Sequence, residues 1–196
     1  MQKFFHIFII LVFWSLIFTG CFNSNIELGY TLPHLPYPIA KEKALITIAG
    51  QGPEGLIVAK MCDELKIENT FRYKATVKDL EEKRSLIVVV SVSKIGLKSV
   101  DTNYELEKER IHKLIRKANE QRIPVIMLFI GGNNRWDKLN QEMIMLVAKY
   151  TNYMIAVSNN ESKDFFRTQA AKNNIEFYTL VKDLERVKIP LNSAFR

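Results

Sequence analysis

Hydrophobic positions in this chain alternate between short continuous runs and helical spacings. The runs lie at 44–49, 86–92, 124–130 and 153–157, and they are rich in branched residues. Such runs are typical of parallel strands that are buried on both faces. Between the first two runs, Val58, Met61, Cys62 and Leu65 recur with the period of an amphipathic helix.

Two weaker strand patterns complete the series. Residues 70–75 alternate apolar and polar side chains, which indicates a half-exposed edge strand, and 175–180 form a last short run. Residues 93–101 have the composition of a loop. Thr102 and Glu105 then have capping-box spacing, which predicts a helix to about Gln121. Alternating strands and helices predict an α/β domain: a three-layer, doubly wound, mainly parallel sheet of five to six strands.

The first twenty residues have the pattern of a secretory signal. Lys3 precedes an apolar run at 4–18, and Thr19-Gly20 directly precedes Cys21. This order resembles the lipobox of bacterial lipoproteins, so we predict cleavage after residue 20 and lipidation of Cys21. The alternative is an uncleaved anchor over 4–22, which has about the 18–20 residues that a membrane helix needs. Both interpretations tether the chain to the cell membrane, facing outside the cytoplasm.

The same patterns divide the chain into three parts. Residues 1–20 are the signal peptide, 21–43 are a linker stiffened by Pro33, Pro36 and Pro38, and 44–196 form a single α/β domain. Removing the signal leaves a net charge of +6. This charge indicates a solvated lysine-rich surface or affinity for anionic groups, and we expect no nucleic-acid partner. Cys62 would then be the one cysteine besides the lipidated one, and its place on an apolar helix face indicates a core residue.

A glycine motif follows the first strand. Gly50, Gly52 and Gly55 fit the dinucleotide fingerprint G-x-G-x-x-G. Against that interpretation, Glu54 would put a carboxylate in the first helical turn, where a pyrophosphate should bind. The end of the second strand also lacks the acid expected to bind a ribose. A tight turn with close helix–strand packing explains the glycines equally well, and we predict no cofactor.

The carboxyl ends of parallel strands share one edge of a sheet, where open α/β folds bind ligands. We therefore predict a polar, mildly cationic ligand site there. Its candidate residues are Gly50, Gln51, Gly52, Ser91, Ser93, Lys94, Gly131, Gly132, Asn133 and Arg135. Glu54 is the one acid that we place on this edge, and it is the catalytic candidate if the protein is an enzyme. No cluster of cysteines and histidines has metal-site spacing, and neither His34 nor His112 is placed to serve a hydrolytic triad.

Several short motifs resemble a family of exported bacterial α/β proteins of unknown function. They are Ala49-Gly50-Gln51, Ser93-Lys94 with Gly96, Ile130-Gly131-Gly132 and Lys163-Asp164-Phe165-Phe166. The resemblance covers about 44–187. It implies a Rossmann-like or flavodoxin-like domain and an exported location, and it supplies no catalytic residue.

Three functions remain open from the sequence. The first is a membrane-anchored binding module for a small polar or anionic ligand, or a partner such as an envelope protein. In it, Gln51 and backbone amides would donate hydrogen bonds, and Lys94 and Arg135 would supply charge. The second is an enzyme of the transferase or glycosidic-bond type that uses Glu54. The third is a structural envelope protein without a small-molecule site.

Overall fold

The computed structural model describes residues 35–196. The predicted signal peptide, Cys21 and the first part of the predicted linker lie outside this range. Within it, six strands form one sheet: β1 (Ala44–Ala49), β2 (Asn69–Arg72), β3 (Ser85–Val90), β4 (Val125–Phe129), β5 (Tyr153–Val157) and β6 (Phe177–Val181).

The helices of the described range are α1 (Glu54–Glu64), α2 (Lys94–Ser99), α3 (Tyr104–Glu120), α4 (Lys138–Ala148), α5 (Asn160–Lys172) and α6 (Lys188–Ser193). Short 3₁₀ turns occur at Val77–Leu80, Gly132–Arg135 and Glu185–Val187. Among residues 35–196, no helix combines the length and hydrophobicity needed to cross a membrane. The apolar segment 4–22 is not part of that range.

The sheet is entirely parallel, in the order β2-β1-β3-β4-β5-β6. This confirms the predicted doubly wound α/β class. The strand order reverses between β1 and β3, whose register pairs Ile48 with Val89. In such sheets the crevice at the carboxyl ends next to the reversal is where ligands bind.

Alternation along the buried strands divides the core into two layers. In β3, Ile87 and Val89 face the layer that contains α1 and α6. Leu86, Val88 and Val90 face the layer formed by α3, α4 and α5. All five side chains are fully buried, which is why the sequence of β3 is a continuous apolar run.

Two helix starts differ from the sequence prediction. The α3 helix is capped by Asn103, whose side chain accepts a hydrogen bond from the Leu106 amide at 3.0 Å, so the predicted box of Thr102 and Glu105 is off by one residue. The predicted loop 93–101 contains α2, capped by Ser93. Both caps satisfy amides that a helix start leaves without partners.

The end of the predicted linker packs on the domain. The amides of Ile39 and Ala40 both donate to the Ala194 carbonyl at the end of α6, at 3.1 and 2.9 Å. The Lys41 amide donates to Ser85 Oγ at 2.8 Å, and that hydroxyl donates back to the Lys41 carbonyl at 2.7 Å. Residues 35–43 therefore form an ordered strap along the start of β3 and the end of α6.

Candidate functional site

The turn after β1 is held directly against the segment after β3. Gly50 and Gln51 have positive φ angles of 110° and 62°. The Gly52 amide donates to the Ser91 carbonyl at 2.9 Å, and the Ser93 amide donates to the Gly50 carbonyl at 2.8 Å. A Cβ on Gly50 would lie 2.5 Å from the Val92 Cα, so both the backbone angle and the close approach require glycine there.

Three side chains meet at this reversal point, and we call them the Glu54 cluster. Ser91 donates a hydrogen bond to Oε2 of Glu54. Arg135 donates from Nε to Oε1 of Glu54 at 2.6 Å. The Glu54 side chain is only 11% exposed, so its charge is balanced within the protein by Arg135.

Glycines make room for this cluster. A Cβ on Gly52 would lie 1.8 Å from Ser91 Oγ and 2.6 Å from Glu54 Oε2. A Cβ on Gly131 would lie 2.2 Å from Arg135 Cγ, and one on Gly55 would lie 2.2 Å from Ile48 Cγ1. Close contacts with Val92, Ser91 and Ile48 therefore account for the three glycines that resemble a dinucleotide fingerprint.

A second cluster lies on the α3 side of the same turn, and we call it the Glu107 cluster. Glu107 Oε1 accepts hydrogen bonds from the Gly50 amide at 2.9 Å, Gln51 Nε2 at 3.0 Å and Arg110 Nη2 at 2.7 Å. Arg110 also donates to the Ile48 carbonyl at 2.6 Å and the Ala75 carbonyl at 2.7 Å. Burial alone would raise the pKa of Glu107, but the Arg110 guanidinium and the Gly50 and Gln51 donors outweigh it and lower that pKa.

The Glu107 cluster was missed by the sequence analysis. Glu107 precedes Ile111 by four residues and so lies on the inward stripe of α3, where a charge is anomalous. A charged residue on this apolar stripe is the sequence feature that could have indicated a buried ion pair. Asn140, also missed, accepts a hydrogen bond from the Val92 amide at 2.8 Å and fixes the other end of the β3 loop.

The structure separates the predicted site residues into three groups. Gly52, Ser91, Gly131 and Arg135 surround Glu54, whereas Gly50 and Gln51 belong to the Glu107 cluster. Gln51 Nε2 also donates to the Tyr73 carbonyl at 3.1 Å. Both hydrogens of this amide are thus used inside the domain, and Oε1 is the polar atom of this side chain that remains without a partner among residues 35–196. The part of Gln51 in ligand binding remains a prediction.

The third group lies at the surface of the same edge. Lys94 is exposed at the first position of α2, and the neighbouring Ser93 side chain is used to cap that helix. Asn133 is exposed in the 3₁₀ turn after β4, and Gly132 begins that turn with a φ angle of 51°. Their part in ligand binding remains a prediction.

Arg135 has hydrogen-bonding capacity to spare. Its side chain is 27% exposed, and its Nη1 and Nη2 atoms make no hydrogen bond or ion pair with any residue from 35 to 196. The turn that carries it is anchored by Trp136, whose ring packs on Phe129, Phe165 and Phe166 with centroids 5.1–6.0 Å apart. Arg135 is therefore a positioned cation with two unused nitrogens.

Two buried acceptors near the strand ends also lack partners within the described part of the chain. They are Oε1 of Gln51 and Oγ of Ser158. Both residues are at least nine-tenths buried, at 5% and 6% exposure. Unpaired buried polar atoms are costly, and a bound water or ion is one way in which proteins satisfy them.

Other chemistry has less support in the described residues. Ser91 is fully buried, so a substrate cannot reach its hydroxyl. Burial raises the pKa of Cys62 to about 12, so this thiol is unreactive. No group of three or more histidine, cysteine or acidic side chains between residues 35 and 196 is arranged to hold a metal ion.

Comparison with known proteins gives one match. No curated protein and no solved structure matches the chain. One family model, described as "Domain of unknown function (DUF6305)", matches residues 41–195. That match begins within the ordered strap and includes all six strands. The chain therefore belongs to the DUF6305 family.

Proposed function

We propose that this protein is a lipid-anchored, extracytoplasmic binding module that binds a small anionic ligand, or an anionic group of a partner, at the carboxyl edge of its sheet. The observation that carries the proposal is Arg135, whose Nε is held by Glu54 while Nη1 and Nη2 have no partner between residues 35 and 196. A guanidinium fixed in this way can bind a carboxylate or phosphate with two parallel hydrogen bonds.

The surroundings of Arg135 support an anionic ligand. The exposed side chains of Asn133 and Asn134 neighbour it in the 3₁₀ turn and can donate further hydrogen bonds. Glu54 neutralises part of the positive charge of Arg135, so the remaining field would stabilise a polar but uncharged ligand only slightly. A ligand with a full negative charge should therefore be preferred over a neutral one.

Binding is better supported than catalysis at this edge. The two carboxylate oxygens of Glu54 accept hydrogen bonds from Ser91 and from Arg135, and the side chain is only 11% exposed. A general base has to lie within hydrogen-bonding reach of the substrate. Glu54 therefore acts as the group that positions Arg135.

The membrane anchor rests on the sequence alone. The basic start, the apolar run 4–18 and the order Thr19-Gly20-Cys21 support cleavage and lipidation at Cys21. Two or three acyl chains would hold the domain stably, since each buried CH₂ contributes about 0.8 kcal/mol. Export by this route would put the binding edge outside the cytoplasm.

A titration of the purified full-length chain in detergent tests the binding proposal. Inorganic phosphate, sulfate and succinate serve as probes, and the melting temperature is the readout. At least one of these anions should raise it, and Arg135→Ala should remove the shift. Arg167→Ala, which alters an exposed arginine on α5, is the control and should keep it. Equal shifts in the two variants would contradict the assignment to Arg135.

A further inference from the structure

A basic groove lies at the opposite end of the sheet, along the amino ends of β3 and β4. It has a volume of about 620 Å³ and is lined by three cationic side chains, Lys41, Arg84 and Arg122. All three are exposed, and none of them forms an ion pair within residues 35–196. The amides Asn119, Gln121 and Asn152 also line it, and no acidic residue is among its described lining residues.

Acids that lie near the groove in the sequence are directed elsewhere. Glu42 pairs with Arg196 at 2.9 Å, and Glu120 pairs with Arg116 at 3.4 Å. Glu81 and Glu82 precede Arg84 but do not line the groove. The three cations are therefore not neutralised locally, unlike most of the charged side chains on α3.

The backbone that carries these cations is fixed. Lys41 lies in the strap, and its backbone amide donates a hydrogen bond to Ser85 Oγ at 2.8 Å. The Arg84 amide donates to the carbonyl of Lys43, two residues after Lys41, at 3.2 Å. Asn152 lines the groove on the β4 side, and its side chain is held in place because Oδ1 accepts a hydrogen bond from the Val125 amide at 2.8 Å. A rigid frame lets three charges act together on one anionic surface.

The position of the groove along the chain indicates its partner. The strap residue Ile39 lines the groove, and it lies four residues after Leu35, the first described residue. Only 13 residues separate Leu35 from Cys21, and the 14 steps can span at most about 50 Å. The groove is thus next to the point at which the tether joins the domain, and this holds for a lipidated Cys21 and for an uncleaved anchor alike.

We propose that Lys41, Arg84 and Arg122 dock the domain on its own membrane by binding the phosphate headgroups of anionic phospholipids. The inference rests on the proposed membrane anchor. Each cation near an anionic leaflet strengthens association by about fivefold, so three together contribute about 100-fold. Docking through this edge turns the Arg135 edge away from the membrane, where a soluble ligand can reach it.

Lysine labelling of the full-length chain in vesicles tests this docking. Vesicles of phosphatidylcholine are compared with vesicles that also contain phosphatidylglycerol, and an amine-reactive reagent is followed by mass spectrometry. Labelling of Lys41 should fall severalfold in the anionic vesicles and recover at about 1 M salt, where the Debye length is about 3 Å. Labelling of Lys94, at the opposite edge, should not change.

Paired variants identify the groove as the cause. Arg84→Gln with Arg122→Gln should abolish the protection of Lys41, whereas Arg167→Gln with Arg186→Gln, which removes the same charge elsewhere, should keep it. Equal labelling of Lys41 in both vesicle types would overturn the inference, as would protection of Lys94 in its place. Protection of Lys41 by inorganic phosphate in neutral vesicles would also overturn it, because the groove would then be a site for soluble anions.

A vesicle flotation assay distinguishes a failure of the groove proposal from a failure of the anchor proposal. A chain that floats with neutral vesicles is anchored, and the labelling result then decides the groove. A chain that does not float with neutral vesicles lacks the proposed anchor. Its flotation with anionic vesicles, and the loss of that flotation in the Arg84 and Arg122 double variant, would still support the groove, whereas no flotation with either would reject it.

Discussion

Arg135 donates a hydrogen bond from Nε to Oε1 of Glu54 at 2.6 Å and so joins two residues that lie 81 positions apart. The pair connects the first turn of α1 to the turn after β4, and Ser91 at the end of β3 donates to the same carboxylate. Three consecutive positions in the sheet are thus tied at their carboxyl ends. The cation that we propose as the ligand contact is held in place before any ligand arrives.

Removing the charge of Glu54 should loosen this edge. We expect Glu54→Gln to lower the free energy of unfolding by about 1–3 kcal/mol, because the carboxylate is mostly buried and bonded to a charged partner. Urea denaturation measures the change. Glu109→Gln is the control, since its pair with Lys113 is exposed and should contribute nothing measurable. Equal losses in the two variants would show that the Glu54 pair has no special role.

Stability should depend on the charge of Glu107 in acid. The pKa of Glu107 is lower in the folded chain than in the unfolded one, where it is about 4.3. Its contribution is therefore complete above the unfolded value and is lost as the pH falls through the folded value. Glu107→Gln should lower stability at pH 7 by about 3 kcal/mol, since it leaves the Arg110 side chain, which is only 13% exposed, without a countercharge. The acid branch of its stability curve, from urea unfolding at pH 3–7, should be shallower than that of the wild type.

Val89 tests the place of β3 in the core. The side chain is fully buried under α1 and α6, so Val89→Asp should place an unpaired carboxylate in the core and prevent cooperative folding. Val77→Asp is the control, at a side chain that is 40% exposed in a 3₁₀ turn. Circular dichroism during thermal unfolding distinguishes them. A cooperative transition in Val89→Asp would contradict the central position of β3.

The anchor prediction concerns Cys21. Cys21→Ser should either release the protein from the membrane fraction or leave it as an unprocessed precursor. Labelling of growing cells with a palmitate analogue should mark the wild type and spare the variant. Cys62→Ser, at the buried cysteine, is the control and should be labelled like the wild type. Equal labelling of Cys21→Ser would reject lipidation at that residue.

The fold could be predicted from the sequence because its strands are buried on both faces. Each central strand then has to be apolar throughout, as Leu86–Val90 is, and this signal is local. That Glu54, Ser91 and Arg135 would meet at one edge could also be predicted, since parallel strands share one carboxyl edge.

The partners of individual polar groups could not be predicted in the same way. The sequence predicts that the side-chain amide of Gln51 donates to a ligand. In the structure this amide donates a hydrogen bond to Glu107, 56 residues away. Which distant helix supplies a buried countercharge depends on how the layers pack, and no local pattern encodes it. The nearest signal was a single charge on an otherwise apolar helix stripe, at Glu107.

Backbone-amide NMR during a titration with phosphate and succinate shows directly whether anions bind at Arg135. We expect shifts at Gly131, Gly132 and Asn133 that saturate together. We also expect a loss of affinity of roughly 10- to 150-fold in Arg135→Ala, which corresponds to one charge-assisted hydrogen-bonding contact. Shifts confined to Lys41 and Arg122, at the opposite edge, or shifts that persist unchanged in Arg135→Ala, would contradict binding at Arg135.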